Sequence, residues 1–244
     1  MIVAIHQPHF LPWLGYLERM KRADLFIVLD HVQFERGNYQ NRTQYLMEGE
    51  KRWLTVPVEQ HSYRETILEK RIKNTNVGQM RWWGPNHFQT LRHAYRRAPY
   101  FERYSPWLQE IFERRWDRLA ELNEALLEFL RDAFDISTPL VKSSQLQIAG
   151  ARSDLVLNLC RGVGADTFLS GDGGSRTYLD RAAFEAAGIA VQFQNFRHPR
   201  YPQAGMQSFV PGLSAIDLLF NVGIQSRALL APPASPVEDA LAAA

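Results

Sequence analysis

Short apolar runs that end in polar turns alternate with helix-like segments along most of this chain. The runs at residues 2–5, 25–29, 53–58, 167–169 and 189–193 predict strands, because each is short and is bounded by polar or turn-forming residues. Helical spacing at 11–20, 153–163, 178–187 and 213–221 predicts helices between them. This alternation is typical of an α/β fold, and we expect a mostly parallel, Rossmann-like sheet with a helical insertion.

The insertion is expected in the middle of the chain, where the pattern changes. Residues 84–134 are dominated by helical spacing. One long amphipathic helix is predicted by positions three or four residues apart, namely Trp107, Ile111, Arg115, Leu119, Leu122, Leu126 and Leu130. We expect an N-terminal α/β half at 1–83, the helical insertion at 84–135 and a C-terminal α/β half at 136–230. Residues 231–244 are rich in Pro, Ala and Ser, which predicts a flexible tail.

Composition excludes several classes of protein. Of the 244 residues, 45% are hydrophobic and 22% are charged, which is typical of a globular chain. The formal net charge of +2 does not indicate a nucleic-acid partner in the absence of a basic cluster. No apolar run is long enough to cross a bilayer, and the apolar start is interrupted at His6, too early for a signal peptide. We therefore expect a cytoplasmic protein that binds neither nucleic acid nor membranes.

The single cysteine, Cys160, excludes an internal disulfide and a zinc site built from several cysteines. Its place on the apolar face of a predicted helix indicates a buried structural thiol, since a catalytic cysteine would be exposed beside a base. The histidines form no H-E-x-x-H pattern. We predict no resident metal, although a looser site made of His6, His9 and Asp30 stays open.

Four polar clusters directly follow predicted strands, which is where parallel sheets bind their ligands. The first contains His6, Gln7 and His9, whose imidazoles can carry protons near neutral pH, before a helix N-terminus that can hold an anion. The alternative is a hydrogen-bonded, half-buried His6 and a His9 that is only a loop residue.

The second cluster contains Asp30 and Gln33, followed by Asn41 and Arg42. Asp30 ends a predicted strand, where its carboxylate could orient an imidazole or accept a hydrogen bond from a substrate hydroxyl. The guanidinium of Arg42 suits two-point binding of a phosphate or carboxylate. The alternative is a polar turn around Asn41 and a surface charge at Arg42.

The third and fourth clusters follow the strands predicted in the C-terminal half. Ser170, Gly171 and Gly173 lie between a strand and a helix, where glycine N–H groups can form an anion-binding nest, although neither a Walker A loop nor a G-x-G-x-x-G fingerprint is present. The alternative is a tight turn with a helix cap. His198 and its neighbours lie in an extended X-Pro segment that suits the wall of a cleft, or else form a proline-rich surface loop.

Ordered blocks across nearly the whole chain resemble one protein family, the WbqC-like proteins. The blocks are His6-Gln7-Pro8…Pro12-Trp13-Leu14-Gly15-Tyr16, Asp30…Val32-Gln33-Phe34…Asn41-Arg42, Tyr95…Ala98-Pro99-Tyr100-Phe101, Gly164-Ala165-Asp166, Ser170-Gly171, Tyr178-Leu179-Asp180, His198-Pro199…Tyr201…Gln203 and Leu213-Ser214…Asp217-Leu218-Leu219-Phe220-Asn221. The resemblance implies a tailoring step in bacterial surface-polysaccharide or natural-product biosynthesis, such as N-acyl or aminoacyl transfer to an amino sugar or similar amine. Asp172 departs from the more neutral residue expected in relatives, and its negative charge would weaken an anion nest.

The first half also resembles the HIGH-type nucleotidyltransferases, which place two histidines around a nucleotide phosphate at the first helix. The similarity rests on the turn with His6 and His9 and on the strand that ends near Asp30. It is an analogy of fold, because Gly15-Tyr16 stands where a Gly-His pair is expected.

Together these observations predict a transferase whose catalytic residues are His6, His198 and Asp30. Substrate binding is predicted for Gln7, His9, Gln33, Asn41, Arg42, Ser170, Gly171, Gly173, Tyr178, Tyr201 and Gln203. We expect a small-molecule substrate, with an acyl or aminoacyl carrier protein or a CoA thioester as donor, and no cofactor unless nucleotidyl transfer requires Mg²⁺. A non-catalytic module that binds a carrier or another partner through the same clusters is the remaining alternative.

Overall fold

The computed structural model describes residues 1–74, 82–173 and 175–230. The flexible tail predicted at 231–244 lies outside the described residues. In the described part, the strands are β1 (Ile2–His6), β2 (Leu25–Val28), β3 (Arg42–Met47), β4 (Glu50–Thr55), β5 (Leu140–Lys142), β6 (Thr167–Ser170) and β7 (Ala190–Phe193). The helices are α1 (Leu14–Arg22), α2 (Trp83–Tyr95), α3 (Phe101–Glu113), α4 (Leu119–Phe134), α5 (Ser143–Leu146), α6 (Arg152–Gly162), α7 (Ser175–Tyr178), α8 (Arg181–Ala186), α9 (Ala215–Val222) and α10 (Ser226–Leu229), with a 3₁₀ turn at Gly223–Gln225.

Five strands form one parallel sheet in the order β5-β2-β1-β6-β7. The central strand β1 pairs with β2 on one side and with β6 on the other, so that Ala4 lies between Phe26 and Leu169. Counted along the chain, the strands of this sheet have the order 3-2-1-4-5, which reverses between β1 and β6. The prediction of a parallel, Rossmann-like sheet is confirmed, and the reversal marks the place where such sheets bind ligands.

Helices cover both faces of the sheet and bury the alternate side chains of β1. Val3 and Ile5 pack on one face with apolar residues of α6 and α8, among them Leu159 and Phe184. Ala4 packs on the other face in a larger cluster that continues through α1 and α9 into α2, α3 and α4. Parallel strands buried on both faces require the continuous apolar runs that the sequence shows. The division of the chain into four parts stays a prediction.

The helical middle of the chain differs from the prediction in one respect. The long helix predicted from Trp107 to Leu130 is two helices, α3 and α4, separated by residues 114–118. The interruption has a tertiary cause, because the segment pairs with a neighbouring loop: Ile72 N–H donates to Asp117 O (2.9 Å) and Leu119 N–H donates to Lys70 O (2.9 Å). The helix predicted at 178–187 is likewise divided, since Asp180 accepts a hydrogen bond from Ala183 N–H and caps α8.

The strand predicted at 53–58 belongs to a separate two-stranded antiparallel hairpin, formed by β3 and β4. The two residues of its turn, Glu48 and Gly49, have φ values of 53° and 82°. Positive φ at both positions defines the type I′ turn, whose twist matches that of antiparallel strands. The sequence analysis missed β3 and also the three-residue strand β5. No helix in the described part of the chain is long and apolar enough to cross a membrane.

Candidate functional site

The site forms where the strand order of the sheet reverses. His6 is the last residue of β1 and Ser170 is the last residue of β6, so that both chain segments leave the sheet at the same edge. The loop after β1 leads into α1, which carries Tyr16 and Arg19. His6, His9, Tyr16 and Arg19 form a compact group, which we call the switch-point cluster.

Three rings of the switch-point cluster pack against one another. The ring centroids of His6 and His9 are 4.5 Å apart and nearly perpendicular, and those of His6 and Tyr16 are 4.9 Å apart. His9 and Tyr16 are 5.3 Å apart. Two of the predicted residues, His6 and His9, are therefore brought together, with Tyr16 as a third member that the sequence analysis did not single out.

The hydrogen bond of His6 determines which ring nitrogen is free. Its Nδ1 lies 2.9 Å from the backbone oxygen of Gln7. A carbonyl oxygen can only accept a hydrogen bond, so in the neutral ring Nδ1 carries the proton and Nε2 keeps its lone pair. Burial, together with the charges of Arg19 and His9, holds the pKa of His6 well below its ordinary value. His6 is therefore neutral at pH 7 and keeps the lone pair on Nε2.

Arg19 is a buried cation without hydrogen-bond partners for two of its nitrogens. Its side chain is 4% exposed, and neither Nε nor Nη2 has a partner. Burial lowers the pKa of Arg19 to about 10, which leaves the guanidinium charged at neutral pH. Nδ1 of His9 and the hydroxyl of Tyr16 are also buried without a partner. Buried polar atoms are rarely left unsatisfied, so these atoms are the candidate ligand-binding groups of the cluster.

The loop after β6 closes the cluster from the other side. A Cβ atom on Gly171 would lie 2.1 Å from Nη1 of Arg19, so only glycine permits this close approach. A Cβ atom on Gly173 would meet nothing within 4 Å. Tyr178 is half-exposed and lies close enough to Arg19 that its charge state influences the pKa of the guanidinium.

Asp172 and Ser170 complete this loop. The carboxylate of Asp172 accepts a hydrogen bond from Arg176 at 2.8 Å and another from Phe196 N–H at 3.2 Å. Its negative charge is therefore engaged by Arg176. Ser170 is buried at the end of β6, where its hydroxyl donates to the backbone oxygen of Gly171 at 3.4 Å.

The carboxylate of Asp30 joins β2 to the segment after β5. It accepts hydrogen bonds from the hydroxyls of Ser143 (3.0 Å) and Ser144 (2.7 Å) and from Ser144 N–H (3.0 Å). No contact with His6 or His198 is found among these bonds. The buried amide of Asn41 donates to Val56 O at 2.9 Å, which fastens the hairpin.

The other residues predicted near the second strand hold loops. Gln33 donates to Tyr63 O at 2.6 Å, and Gln7 accepts a hydrogen bond from Gln40 at 2.8 Å. The guanidinium of Arg42 lies 4.0 Å from the ring centroid of Trp53 and donates to Gly37 O.

A series of aromatic rings connects Arg42 to the switch-point cluster. The guanidinium of Arg42 packs on the ring of Trp53, whose centroid is 5.4 Å from that of Tyr39. The ring of Tyr39 stacks on His9, with their centroids 5.6 Å apart. The structure therefore places Arg42 at the outer end of an aromatic stack that leads to the site.

His198 lies in a different aromatic environment. Its Nδ1 donates to Pro199 O at 2.9 Å, and its Nε2 is buried without a partner. Phe209 and Tyr201 pack against the ring at 5.3 and 6.2 Å. Burial lowers the pKa of His198, and the charge of Lys51 lowers it further. None of these contacts of His198 involves His6.

Tyr201 and Gln203 bind a residue that the sequence analysis missed as a functional candidate, Asp217. Oδ2 of Asp217 accepts hydrogen bonds from Tyr201 Oη at 2.8 Å and from Gln203 Nε2 at 2.7 Å. Asp217 is fully buried on α9, and burial raises its pKa. A lone acid in the apolar segment AIDLLFNV was the available signal.

Cys160 has the surroundings of a buried thiol. Cys160 is buried among apolar residues of α6, where burial raises the pKa of its thiol to about 12. Within the three described ranges, no group of three His, Cys, Asp or Glu side chains is placed to hold a metal ion.

Comparison with known proteins identifies the family. A family model described as the WbqC-like protein family matches residues 7–228. The chain belongs to the WbqC-like family. This WbqC-like protein is 30% identical over 226 residues to a protein of Mycobacterium tuberculosis (strain ATCC 25618 / H37Rv) named "Uncharacterized protein Rv1507c", an alignment that covers 92% of this chain and 95% of the mycobacterial one. No solved structure is significantly similar to it. The predicted resemblance is thus confirmed.

Proposed function

We propose that this WbqC-like protein is a transferase that binds a phosphate-bearing substrate at the switch-point cluster and transfers an acyl or aminoacyl group to an amine. The observation that carries the proposal is Arg19, a charged guanidinium that is 4% exposed and has two nitrogens without partners beside His6 and His9. The carboxylates of Glu18 and Asp172 favour the charged form of Arg19, but a buried guanidinium normally also has its N–H groups hydrogen-bonded.

A phosphate group suits these unpaired donors. Arg19 offers Nε and Nη2, two neighbouring donors that can bind a phosphate in two-point fashion. The position agrees with the general rule, because ligands of open parallel sheets bind where the strand order reverses. CoA, a phosphopantetheine arm and a nucleotide-linked sugar all carry such a group.

In the proposed reaction, His6 acts as the general base. Nε2 of His6 accepts a proton from the acceptor amine as the amine nitrogen forms a bond to the carbonyl carbon of the donor. The carbonyl oxygen then bears a negative charge. The carbonyl double bond re-forms as the bond to the leaving thiolate or phosphate breaks. The leaving group receives the proton from His6. Proton transfer of this kind contributes about 10²–10⁴-fold to a rate.

Nucleotidyl transfer is the second candidate. It is favoured by the 3-2-1-4-5 strand order together with one histidine at the end of the first strand and a second in the loop before the first helix. In that reaction an acceptor oxygen attacks the α-phosphorus of a nucleoside triphosphate and pyrophosphate leaves, with Mg²⁺ required. The two candidates share the phosphate site and differ in the product released.

Ligand-induced thermal stabilisation distinguishes these possibilities. The probes are CoA, acetyl-CoA, UDP-N-acetylglucosamine, pyrophosphate and ATP with Mg²⁺. A ligand at about 100 times its Kd stabilises by about 2.7 kcal/mol, which for a chain of this size is a shift of about 5–10 °C. The variants are His6→Gln and Arg19→Met, and the control is His61→Gln, an exposed histidine paired with Glu59.

Each outcome has a definite meaning. We expect a phosphate-bearing probe to stabilise the wild type and His61→Gln but not Arg19→Met. Mass spectrometry of reactions with the stabilising probe and a panel of amines should then show an N-acylated product, formed at least about 100-fold more slowly by His6→Gln. Release of pyrophosphate from ATP would instead establish nucleotidyl transfer. Binding without turnover, unchanged in His6→Gln, would establish the non-catalytic module.

A further inference from the structure

The β3–β4 hairpin has one buried face and one face that is open around Trp53. Side chains alternate between the two faces along each strand, and directly paired residues share a face. Thr43, Tyr45 and Leu54 are buried on the inner face. The outer face carries Arg42, Gln44 and Leu46 of β3, which pair with Thr55, Trp53 and Lys51 of β4. Trp53 is 41% exposed there, so much of its indole ring can contact a ligand.

Two neighbouring side chains position the indole of Trp53. The guanidinium of Arg42 lies 4.0 Å from the ring centroid, where a cation–π interaction is favourable. The ring of Tyr39 packs at 5.4 Å with an interplanar angle of 56°. An exposed indole that is held by an arginine and a second aromatic ring suits the stacking of another planar ring. Proteins bind nucleobases in this way, by stacking them on aromatic side chains with a cation–π contribution from arginine.

The outer face of the hairpin is positively charged. Arg42 and the exposed Lys51 lie on the same face as the indole. The acidic residues of the hairpin turn, Glu48 and Glu50, have carboxylate oxygens 3.7 and 3.5 Å from Nη2 of Arg52. The side chain of Arg52 belongs to the opposite face, so these acids are paired away from the indole. The outer face therefore attracts a ligand that carries negative charge as well as a planar ring.

This face is connected to the switch-point cluster. Tyr39 packs against Trp53 on one side and stacks on His9 of the cluster on the other, with centroids 5.6 Å apart and an interplanar angle of 25°. Two ring-to-ring steps thus separate the exposed indole from the cluster that contains Arg19. A nucleotide carries its base and its phosphates at opposite ends of one ribose, which matches a stacking surface and a cationic group that lie near each other but are not in contact.

We propose that the outer face of the hairpin binds the nucleobase of the phosphate-bearing substrate, stacked on Trp53, while the phosphates extend past Tyr39 toward Arg19. The charges of Arg42 and Lys51 then favour the anionic ligand. The inference rests on the proposed function for the position of the phosphates, and it adds the substrate class. The substrate is a nucleotide, such as CoA or a nucleotide-linked sugar, and not a phosphopantetheine arm that lacks a base.

The test compares ligands with and without a base. Calorimetric titrations of the full-length protein use UDP, ADP and pyrophosphate. We expect at least one nucleoside diphosphate to bind about 5–150-fold more tightly than pyrophosphate, which is the contribution of one stacked base. Trp53→Ala should remove this advantage and leave the affinity for pyrophosphate unchanged. Trp53→Phe, which keeps an aromatic ring, should retain most of the advantage. Because Trp53 is exposed, neither substitution removes a core side chain.

Two further variants separate this inference from the proposed function. Trp107→Ala replaces another exposed tryptophan, which is 55% exposed on α3, and it should bind all three ligands as the wild type does. Arg19→Met should weaken pyrophosphate and both nucleotides. Titrations with CoA and UDP-N-acetylglucosamine then identify the source of the base, because the matching nucleotide should bind more tightly than the other.

The nucleobase site is overturned if neither UDP nor ADP binds the wild type more tightly than pyrophosphate. It is also overturned if Trp53→Ala weakens pyrophosphate and the nucleotides equally. If Arg19→Met leaves all affinities unchanged while Trp53→Ala still weakens the nucleotides, the proposed phosphate site is wrong and the nucleobase site stands. An absence of binding by every ligand at about 10 mM would overturn both.

Discussion

Replacing Arg19 by Met should make the unliganded protein more stable and at the same time abolish phosphate binding. The guanidinium of Arg19 is 4% exposed, and burial lowers its pKa from 12.5 to about 10. At 1.36 kcal/mol per pKa unit, holding the charged form in the folded state costs about 3 kcal/mol. This cost is fully present below pH 10, where Arg19 is protonated in both states, because the pKa of Arg19 is lower in the folded protein than in the unfolded chain.

Methionine removes the charge and fills much of the same volume. Replacement of buried charged groups by apolar side chains of similar size is commonly neutral or stabilising by about 1–4 kcal/mol. We therefore expect Arg19→Met to raise the free energy of unfolding by about 1–3 kcal/mol, measured by urea titration at pH 7. The expected rise in Tm is about 2–4 °C for each kcal/mol in a chain of this size.

Arg22 on the same helix provides the control. Its guanidinium donates to Glu18 at 3.3 Å and to Gln194 O at 2.8 Å, so Arg22→Met should destabilise the protein by about 1–3 kcal/mol. If Arg19→Met also destabilises, Arg19 is a satisfied structural residue and the reasoning is refuted. The same conclusion follows if the variant is still stabilised by the phosphate-bearing probe as strongly as the wild type.

Three further predictions follow from contacts in the structure. Gly171→Ala should displace the guanidinium of Arg19 and weaken phosphate binding at least about 10-fold in calorimetry, whereas Gly173→Ala, which has open space around it, should bind normally. Burial lowers the pKa of His9 to about 3, so below pH 6.5 the unfolded state binds a proton that the folded state does not. The free energy of unfolding should therefore be about 2 kcal/mol lower at pH 5 than at pH 6.5 because of this residue, and His9→Leu should lack this difference. Burial raises the pKa of the Cys160 thiol to about 12. At pH 8 it should therefore react with a disulfide reagent at least about a thousandfold more slowly in the folded protein than in the unfolded protein, whereas a fast reaction would show that the thiol is accessible.

The parallel sheet and part of the site could be predicted from the sequence, because both depend on local pattern. Buried parallel strands need continuous apolar runs, and the residues that follow such runs lie at the ligand-binding edge of the sheet. His6, His9 and Gly171 were found in this way. The pairing of β3 with β4 was missed because the first half of β3, with the sequence RTQYLM, is polar and the type I′ turn contains Glu48 in place of the usual Asn or Asp.

The remaining members of the site depend on tertiary packing. Arg19 belongs to the segment LGYLERMKR, where charged residues suggest a solvent-facing helix surface. Its guanidinium is buried where the loop at Gly171 approaches it, a contact between residues that are far apart in the chain. Conversely, Asp30 and Asn41 are polar residues at strand ends, but their side chains form hydrogen bonds with Ser144 and Val56 of the protein itself. Sequence pattern alone does not distinguish a polar residue that joins two loops from one that binds a ligand.

The position of β1 in the middle of the sheet has a consequence for the order of folding. Its partner on one side, β2, follows after a single helix, but on the other side Ile2 pairs with Thr167. During synthesis on the ribosome, one edge of β1 therefore stays without hydrogen bonds until most of the chain has emerged. An unpaired apolar strand edge is a template for pairing with other chains. We expect refolding at high protein concentration to aggregate through residues 2–6, and hydrogen exchange during refolding should show the amides of β1 protected in two steps, with β2 first and with β6 later.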